Sequence, residues 1–548
     1  MNFLLSILVL CYFFLLGRSS LIILNLKRNK TQLVDDLKIF DTKISVFYPL
    51  IGLFVFGNIL FIFNFFAPLN SINLKIILIS FLLFNLYNFK NIFKNISDFV
   101  TLSIFQLIAT LSIFNINFQY DAGFYHLNYQ NWIRTEKLVI GLSNLHTPFG
   151  LSSISDYIAS MFWLDNNFAL LHLSSITFLA VLFSFFSFNI FKSNNKFLKN
   201  SSILVIFFGL LDNFGINGGL NGFIAISGII KPDLPFAVLF YLFTLLFLNG
   251  LIKKSFTVLE INFLSLLLFF SFQYRLTSIY LFPFFLLTIF NLVRNNELKL
   301  SELKIQLTYV ALFGVWIVKS FLLTSCLLYP ITFTCLNTRW GNNRNAVNFT
   351  DESREFNFAY STNQNFLEWF QEWIVLNSNS TILKNFILSF FIVLIISIFF
   401  TEKLSHQTVL NFVSKCFITY TILGFLFIWI FGAPSFRFLY GFVLFSISCL
   451  PLLEKRLIIK TNLNSRYLLT IIMFASAMLI PRLDSYKSFF NNPVEMKILE
   501  VETTRYIDGD GFWVYPEKGD QCWINKKCIP SSIQVEEETI LSFKAFTK

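Results

Sequence analysis

Long apolar runs alternate with short polar segments along nearly all of the 548 residues. Runs of this length match the roughly 20 residues that an α-helix needs to cross a bilayer, and a helix satisfies its own backbone hydrogen bonds there. The pattern predicts an all-α polytopic membrane protein with about 12–14 transmembrane helices. We expect helices at roughly 3–24, 45–66, 73–89, 99–114, 167–191, 201–213, 234–252, 258–273, 277–293, 307–325, 383–400, 411–430, 438–453 and 467–481.

Composition agrees with a lipid environment, since 55% of residues are hydrophobic and only 13% are charged, against about 25% charged in soluble domains. The 75 Phe residues indicate codon bias, and we interpret most of them as apolar side chains that face lipid. The net charge of +11 is dispersed over short loops, which favours membrane lipid headgroups as partners and argues against nucleic acid. The first apolar run precedes Arg18 without a small-residue cleavage site, so we expect a retained helix.

Lys and Arg concentrate in alternate loops, which predicts that those loops are cytoplasmic. The opposite set then contains the segments 115–166 and 326–382 and the tail from 482. All three long polar segments fall on that one side, which favours an active site facing outwards. We therefore predict a multi-pass plasma (inner) membrane protein, bacterial, with its active site on the periplasmic or external face.

Four cysteines lie in the predicted external segments, as two pairs that are close in sequence. Cys326 and Cys335 begin the second large loop, and Cys522 and Cys528 lie in the tail. Local pairs in an oxidising compartment predict two disulfides, with four free thiols as the alternative.

The polar segment that begins at Gln119 carries the first candidate chemistry. Asp121, Tyr125, Asn128 and Trp132 fall on one face of a predicted interfacial helix, and His126 lies just beside that face. One interpretation is a binding surface in which Asp121 is catalytic. The other is an amphipathic helix that Asp121 merely caps. The nearby segment 145–150 is either the far wall of a cleft or a plain turn.

Three cations and a second carboxylate are predicted to reach the same plane. Lys231 and Asp233 precede a helix, Arg275 lies in a polar break between two apolar runs, and Arg437 lies at another helix end. Each cation can be explained as a side chain that extends to headgroups. Together with Asp121 they indicate a functional site, because charges at membrane depth are costly.

This set of residues fits glycosyl transfer from a lipid-linked sugar. Arg437, Arg275 and Lys231 are candidates to stabilise the leaving phosphate, and Asp121 is the candidate base for the acceptor hydroxyl, with inversion at the sugar. One sugar phosphate must bridge base and cation, so Asp121 and Arg437 must share a cavity. A separation above about 15 Å would refute the site.

The same segments resemble the GT-C-type glycosyltransferases, a superfamily that includes the protein O-mannosyltransferases and the aminoarabinose lipid A transferases. An aromatic-Asp segment after a helix is similar to their first external loop, whose essential acid matches Asp121. The Lys-Pro-Asp-Leu-Pro stretch resembles their acidic second-loop element, at Asp233. The turn 434–438 and the segment 325–330 are similar to features of uncharacterised bacterial members. The resemblance spans roughly 99–450.

The resemblance implies a polyprenyl-phosphate-linked sugar as donor and an envelope glycan, lipid or protein as acceptor. His126, Tyr125, Asp233, Lys231, Arg275 and Arg437 are then the substrate-binding candidates. Many relatives carry an adjacent Asp-Glu pair, whereas Ala122 follows Asp121, so a divalent cofactor (Mg²⁺ or Mn²⁺) stays open, with Asp233 as the candidate second ligand.

The expected domains follow from this placement. Residues 1–98 form an N-terminal transmembrane extension, residues 99–481 form the GT-C-like core with the external loops 115–166 and 326–382, and residues 482–548 form a small external cap with some β structure. We expect interfacial helices in the external loops, including two in the second loop.

Two other functions stay open. An O-antigen-type polymerase or ligase would rely on external Arg and His, so Arg437 and His126 would matter more than Asp121. A lipid-linked glycan flippase or transporter would need charged residues along a path through the membrane, and Lys319 and Asp212 are the candidates inside predicted helices.

Overall fold

The computed structural model of the protein describes residues 2–25, 36–87, 95–163, 167–213, 232–341, 343–361, 363–400, 410–453, 500–501, 506–508, 513–530 and 535–547. Two predicted features lie outside the described residues, namely the site candidate Lys231 and the helix at 467–481.

Helices dominate the described parts of the chain. They are Asn2–Asn25 (α1), Tyr48–Asn64 (α2), Ser71–Tyr87 (α3), Ile96–Thr110 (α4), Leu127–Thr135 (α5), Ile154–Ser160 (α6), Leu173–Phe191 (α7), Lys196–Asn213 (α8), Asp233–Lys253 (α9), Val258–Tyr274 (α10), Leu281–Arg294 (α11), Lys304–Thr324 (α12), Asn343–Phe356 (α13), Phe366–Val375 (α14), Asn377–Phe400 (α15), Phe412–Phe431 (α16) and Tyr440–Leu453 (α17).

The long apolar runs became long helices, as their periodicity predicts. Among the described residues, 8 helices are long and apolar enough to cross a membrane by length and composition, and four shorter apolar helices accompany them. The architecture is compatible with a polytopic all-α membrane protein. It also contains helices α13 and α14, where the second large loop was expected to be helical.

The helices α1 and α2 are packed with their backbones almost in contact. A Cβ atom added at Gly17 would lie 1.9 Å from the carbonyl oxygen of Tyr48, and one added at Gly52 would lie 2.1 Å from that of Phe13. Only glycine allows two helices to approach so closely, a device common in membrane proteins. Tyr48 and Phe13 themselves are fully buried beside the crossing.

Helix α9 lies at the centre of the bundle, with α10 and α17 packed against it. All residues in the most apolar stretch of α9 (100%) are buried inside the protein. In the corresponding stretches that include α11, α12 and α16, only 22% of the residues are buried. The peripheral helices therefore present apolar surface outwards, which is the arrangement expected for contact with lipid.

Charged side chains gather at one end of the bundle, near the end of α9 and the start of α4. Lys43 and Lys192 both lie near the carboxylate of Asp98, at 3.4 and 3.8 Å, and Lys253 pairs with Asp41. At the other end of the bundle, the loops that connect the helices enclose a large cavity. The start of α9 and the ends of α10, α12 and α16 meet there.

The C-terminal tail contains β structure in short antiparallel hairpins. Tyr506–Asp508 (β3) pairs with Val514–Pro516 (β4), and Glu536–Ile540 (β5) pairs with Phe543–Thr547 (β6), while Lys38–Ile39 (β1) and Thr42–Lys43 (β2) pair near the N-terminus. Strand β6 is joined to the first polar segment, because the amide of Phe546 donates to the carbonyl of Ile140 and the amide of Ile140 donates to the carbonyl of Lys544. The tail therefore covers the first polar segment.

The expected single helical face from Asp121 to Trp132 is wrong. Residues Ala122–His126 form a π-helical turn, and α5 begins only at Leu127. A π turn inserts an extra residue and rotates everything after it. Asp121 and Tyr125 consequently line the cavity, whereas Asn128 donates to the carbonyl of Asn525 in the tail.

The interpretation of this segment as an amphipathic helix lying on the membrane surface is wrong for a different reason, because the tail covers its apolar face. Trp132 is 5% exposed and packs against Phe546 at 5.7 Å, so the tail takes the place that lipid was expected to occupy.

Candidate functional site

A cavity of about 1080 Å³ opens at the polar end of the bundle. Its walls come from the π turn and the segment 144–153, from the break between α10 and α11, from the segment 327–357 and from the turn at Arg437, and the tail contributes Asp520 and Pro530. This volume is at the upper end of the range of about 300–1,000 Å³ that is usual for ligand pockets. The cavity can therefore hold an extended ligand or two reactants side by side.

Asp121 and Arg437 face each other inside this cavity. An Nη atom of Arg437 lies 3.3 Å from an Oδ atom of Asp121, and both side chains are about one third exposed, at 28% and 31%. The distance is far below the limit at which the site would have been refuted. The side chain of Asp121 makes no capping hydrogen bond, so the alternative that it merely caps the turn is wrong.

A second ion pair of the same composition lies deeper in the wall. The guanidinium of Arg275 contacts the carboxylate of Asp233, whose side chain is only 8% exposed. Asp233 is the first residue of α9, and the break between α10 and α11 places Arg275 opposite it. Because this pair is largely desolvated, it is much harder to separate than the pair of Asp121 and Arg437.

The two arginines meet at one aromatic residue. The guanidinium carbons of Arg275 and Arg437 lie 4.0 and 4.8 Å from the centre of the Phe438 ring. Burial lowers the pKa of Arg275, Asp233 opposes this and the charge of Arg437 adds to it. Two guanidinium groups therefore lie side by side on one cavity wall, each also beside a carboxylate, and their N–H groups can donate to the oxygen atoms of an anionic ligand.

Unpartnered donors accompany these cations. Within the described part of the chain, the buried Nε atom of Arg275 and the buried Oγ1 atom of Thr277 have no hydrogen-bond partner, and both residues line the cavity. Buried polar groups in native proteins are almost always paired, so these two donors beside the arginine pair are sites at which oxygen atoms of a ligand or of water can accept a hydrogen bond.

Tyr125 completes this part of the wall. Burial, with the nearby Asp121 carboxylate as a smaller cause, raises the pKa of Tyr125 above its ordinary value. The phenol therefore stays neutral and can donate a hydrogen bond to a ligand oxygen.

His126 borders the cavity, but its side chain is hydrogen-bonded to a buried carboxylate. Its Nδ1 atom lies 3.0 Å from an Oδ atom of Asp156, and both side chains are almost fully buried. Asp156 also accepts from Gln130 Nε2 and from the backbone amide of Ser153 at the start of α6. The pair therefore supports the floor of the cavity, and Asp156 is a residue that nothing in the sequence pattern singled out.

Lys319 forms another part of the cavity floor, within α12. Its Nζ atom donates to the carbonyl of Ser152 at 3.1 Å and lies 3.6 Å from the centre of the Trp316 ring. It is five residues from the end of α12, about 7.5 Å along the helix axis. The lysine is therefore close to the polar end, not midway along a membrane path. The side chain of the other transport candidate, Asp212, is not described.

The segment 145–150 forms a wall of the cavity and is not a plain turn. His146, Thr147, Pro148 and Gly150 all line the space, and the Tyr329 hydroxyl donates to the carbonyl of Thr147 at 3.0 Å. The loop-to-loop contact with Tyr329 was invisible in the sequence, because it joins segments separated by seven of the described helices, α6 to α12.

The four loop cysteines are bonded in pairs. Cys326 is joined to Cys335, and Cys522 is joined to Cys528. The first disulfide shapes the segment beside Tyr329, and the second closes the part of the tail that contacts the π turn.

No metal site is evident where the structure describes the chain, since no three His, Cys, Asp or Glu side chains there are grouped to hold an ion. Asp121 and Asp233, the candidate ligands of a divalent cation that the sequence left open, each lie against an arginine.

Comparison with known proteins identifies a family without an assigned activity. A family model described as "Domain of unknown function (DUF8201)" matches residues 1–444. The match covers the N-terminal helices as well as the segments that carry Asp121, Asp233, Arg275 and Arg437. No curated protein and no solved structure matches the chain.

Proposed function

The chain belongs to the family of the DUF8201 domain of unknown function, and from the chemistry of its cavity we propose that it is a membrane-embedded glycosyltransferase. The donor is a sugar on a polyprenyl phosphate, and the acceptor is a hydroxyl of an envelope glycan, lipid or protein. The proposal includes an inverting, GT-C-like mechanism at the external face of a bacterial plasma membrane. It rests chiefly on the pair of arginines at Phe438 opposite the carboxylate of Asp121.

Each bond change in the reaction has a group to assist it. The acceptor oxygen attacks the anomeric carbon, and its proton passes to the carboxylate of Asp121. The bond from that carbon to the phosphate oxygen breaks, and its electrons remain on the phosphate. Arg437, Arg275 and Thr277 stabilise this growing charge through their N–H and O–H groups.

The two ion pairs have different roles in this scheme. The pair of Asp121 and Arg437 is partly solvated and therefore contributes only about 0–1 kcal/mol, so a bound phosphate can take the place of Asp121 on Arg437. The released carboxylate then faces the acceptor. Arg275 stays on the buried Asp233 and keeps its position.

The surroundings of His126 favour this function over a polymerase or ligase. That alternative relies on external Arg and His, and its named histidine, His126, is 3% exposed with Nδ1 bonded to Asp156, which makes it a weaker candidate than Asp121. The position of Lys319 near the end of α12 likewise supplies no charge midway through the bundle for a transporter.

Release of polyprenyl phosphate tests the proposal. The purified chain is reconstituted in vesicles with a panel of polyprenyl-phosphate hexoses and an envelope extract as acceptor. We expect release that falls at least about 100-fold in Asp121→Asn, because a positioned base contributes that much. The exposed Asp351→Asn on α13 serves as the matched control and should be unaffected.

The same assay identifies the competing functions. Normal release by a well-folded Asp121→Asn protein would refute the base assignment, and loss only in Arg437→Ala or His126→Ala would identify a polymerase or ligase. Movement of the lipid-linked sugar across vesicles without acceptor would identify a transporter.

A further inference from the structure

His146 forms part of the cavity wall that the proposed reaction does not use. Its ring lies edge-on between the rings of Phe124 and Phe149, with centroids 4.6 and 5.2 Å away at angles of 86° and 90°. The residue is 9% exposed. Phe124 and Tyr125 are adjacent in the same π turn, so the histidine packs beside the part of the cavity wall to which Tyr125 belongs.

The imidazole of His146 is neutral. Burial lowers its pKa to about 3, and a hydrogen bond with the backbone at Phe124 opposes this without cancelling it. A bond that favours the protonated form means that a ring nitrogen donates to the backbone carbonyl. A neutral imidazole has one N–H, so its other nitrogen carries a lone pair.

That second nitrogen is Nε2, and it has no hydrogen-bond partner within the described residues. This ring nitrogen belongs to a residue that lines the cavity, and it lacks the donor that buried polar groups almost always have. Phosphate and carboxylate oxygens only accept, so they are repelled. The group that fits is the hydroxyl of a sugar, which has a proton to donate.

We propose that His146 is a specificity-determining residue whose Nε2 atom accepts a hydrogen bond from a hydroxyl of the sugar being transferred. The sugar and its phosphate then bind at two separate places, with the hydroxyl at His146 and the phosphate at Arg275 and Arg437. This inference deepens the proposed function and rests on it. It predicts that the cavity rejects donors in which that one hydroxyl is missing, because Nε2 would be left buried without a partner.

Two substitutions separate the Nε2 role from a merely structural one. In His146→Asn the amide nitrogen can replace Nδ1 and keep the bond to Phe124, while nothing replaces Nε2. In His146→Gln the longer side chain can bring its carbonyl oxygen to the place of Nε2, while the bond to Phe124 is lost.

The test measures binding of two soluble phosphodiesters to the full chain in nanodiscs. One probe is a set of butyl hexosyl phosphates (gluco, manno and galacto), and the other is butyl methyl phosphate, which has the same charge and no sugar. For the tightest hexosyl probe we expect His146→Asn to weaken binding about 5–20-fold and His146→Gln to weaken it less than about 3-fold. Binding of butyl methyl phosphate should change less than about 2-fold in either variant.

Several results would overturn the inference. One is unchanged binding of the hexosyl probe in His146→Asn, and another is equal weakening of binding for both probes. A third is a larger loss of hexosyl binding in His146→Gln than in His146→Asn. The last is that the unaltered chain binds no hexosyl probe in preference to the others. A protein that shows the His146-dependent preference yet releases no polyprenyl phosphate would contradict the transferase proposal while leaving the sugar contact intact.

Discussion

The backbone amide of Trp523 donates a 2.9 Å hydrogen bond to the carbonyl of Gly123, which joins the tail to the π turn beside Asp121. The Trp523 ring, 4% exposed, lies directly over this glycine. The geometry of the candidate base therefore depends on the last part of the chain as well as on the helices that surround it.

Substitution of Gly123 by Ala should loosen this contact. The new Cβ would lie 2.9 Å from two carbons of the Trp523 ring, closer than van der Waals contact allows. We expect a loss of about 1–3 kcal/mol in the free energy of unfolding and faster tryptic cleavage in the tail at Lys526. Gly314→Ala is the control, because nothing lies within 4 Å of a Cβ there. Equal melting temperatures for the two variants would contradict the prediction.

Asp156→Asn should weaken the floor of the cavity. The carboxylate is 1% exposed and accepts hydrogen bonds from His126, Gln130 and the backbone of Ser153. Replacing it with a neutral amide removes the negative charge and turns one of the two acceptor oxygens into a donor group, at a cost of about 2–4 kcal/mol. Thermal unfolding in detergent measures this cost. The exposed Asp351→Asn should leave the melting temperature unchanged, and a similar result for Asp156→Asn would show that the buried network is dispensable.

Trp373→Phe should disturb the turn that carries Arg437. The Nε1 atom of Trp373 donates to the carbonyl of Pro434 at 3.1 Å, and its ring packs against Phe436 at 5.2 Å. Phenylalanine keeps most of the packing and loses the hydrogen bond, so we expect binding of butyl methyl phosphate to weaken about 3–10-fold. In the control Trp369→Phe a bond to the carbonyl of Phe358 is lost instead. If the two variants weakened phosphate binding equally, the hydrogen bond from Trp373 on α14 would not be what positions the turn that carries Arg437.

His146 should make the protein sensitive to acid. Its pKa falls from 6.5 in the unfolded chain to about 3 in the folded one, so between these values the unfolded chain binds the extra proton. The contribution of neutral His146 to the free energy of unfolding is fully present above pH 6.5. This contribution is lost at up to about 1.4 kcal/mol per pH unit as the pH falls towards 3.

The variant His146→Phe keeps an aromatic ring between Phe124 and Phe149 and removes the titrating group. Its unfolding free energy should therefore fall less steeply than that of the unaltered chain between pH 6.5 and pH 4, as measured by chemical denaturation. Identical pH dependence in both proteins would refute the neutral assignment.

Long apolar runs made the helices predictable, because a membrane-length run leaves few alternatives. The predicted helix at 234–252 occurs as Asp233–Lys253, and that at 258–273 occurs as Val258–Tyr274. The meeting of Arg275 with Asp233 and of Arg437 with Asp121 agrees with the expectation that polar residues at corresponding helix ends lie in one plane.

The features that escaped prediction depend on local irregularity or on distant contacts. The π turn at Ala122–His126 replaces a regular helix, so residues after it face the tail instead of the cavity. The partner of His126 is an aspartate on a separate short helix, and the free nitrogen of His146 becomes recognisable only from its burial between two rings. Residue types alone contain none of this information.

The position of the tail has a consequence for the order in which the protein is made. Asp520 and Pro530 belong to the cavity wall, and Phe546 is bonded to Ile140 close beside it. Every helix described here precedes these residues in the chain, so the ribosome synthesises all of those helices first. The wall of the cavity is therefore incomplete until Asp520 and Pro530 have been synthesised, and no ligand can be fully enclosed before that point.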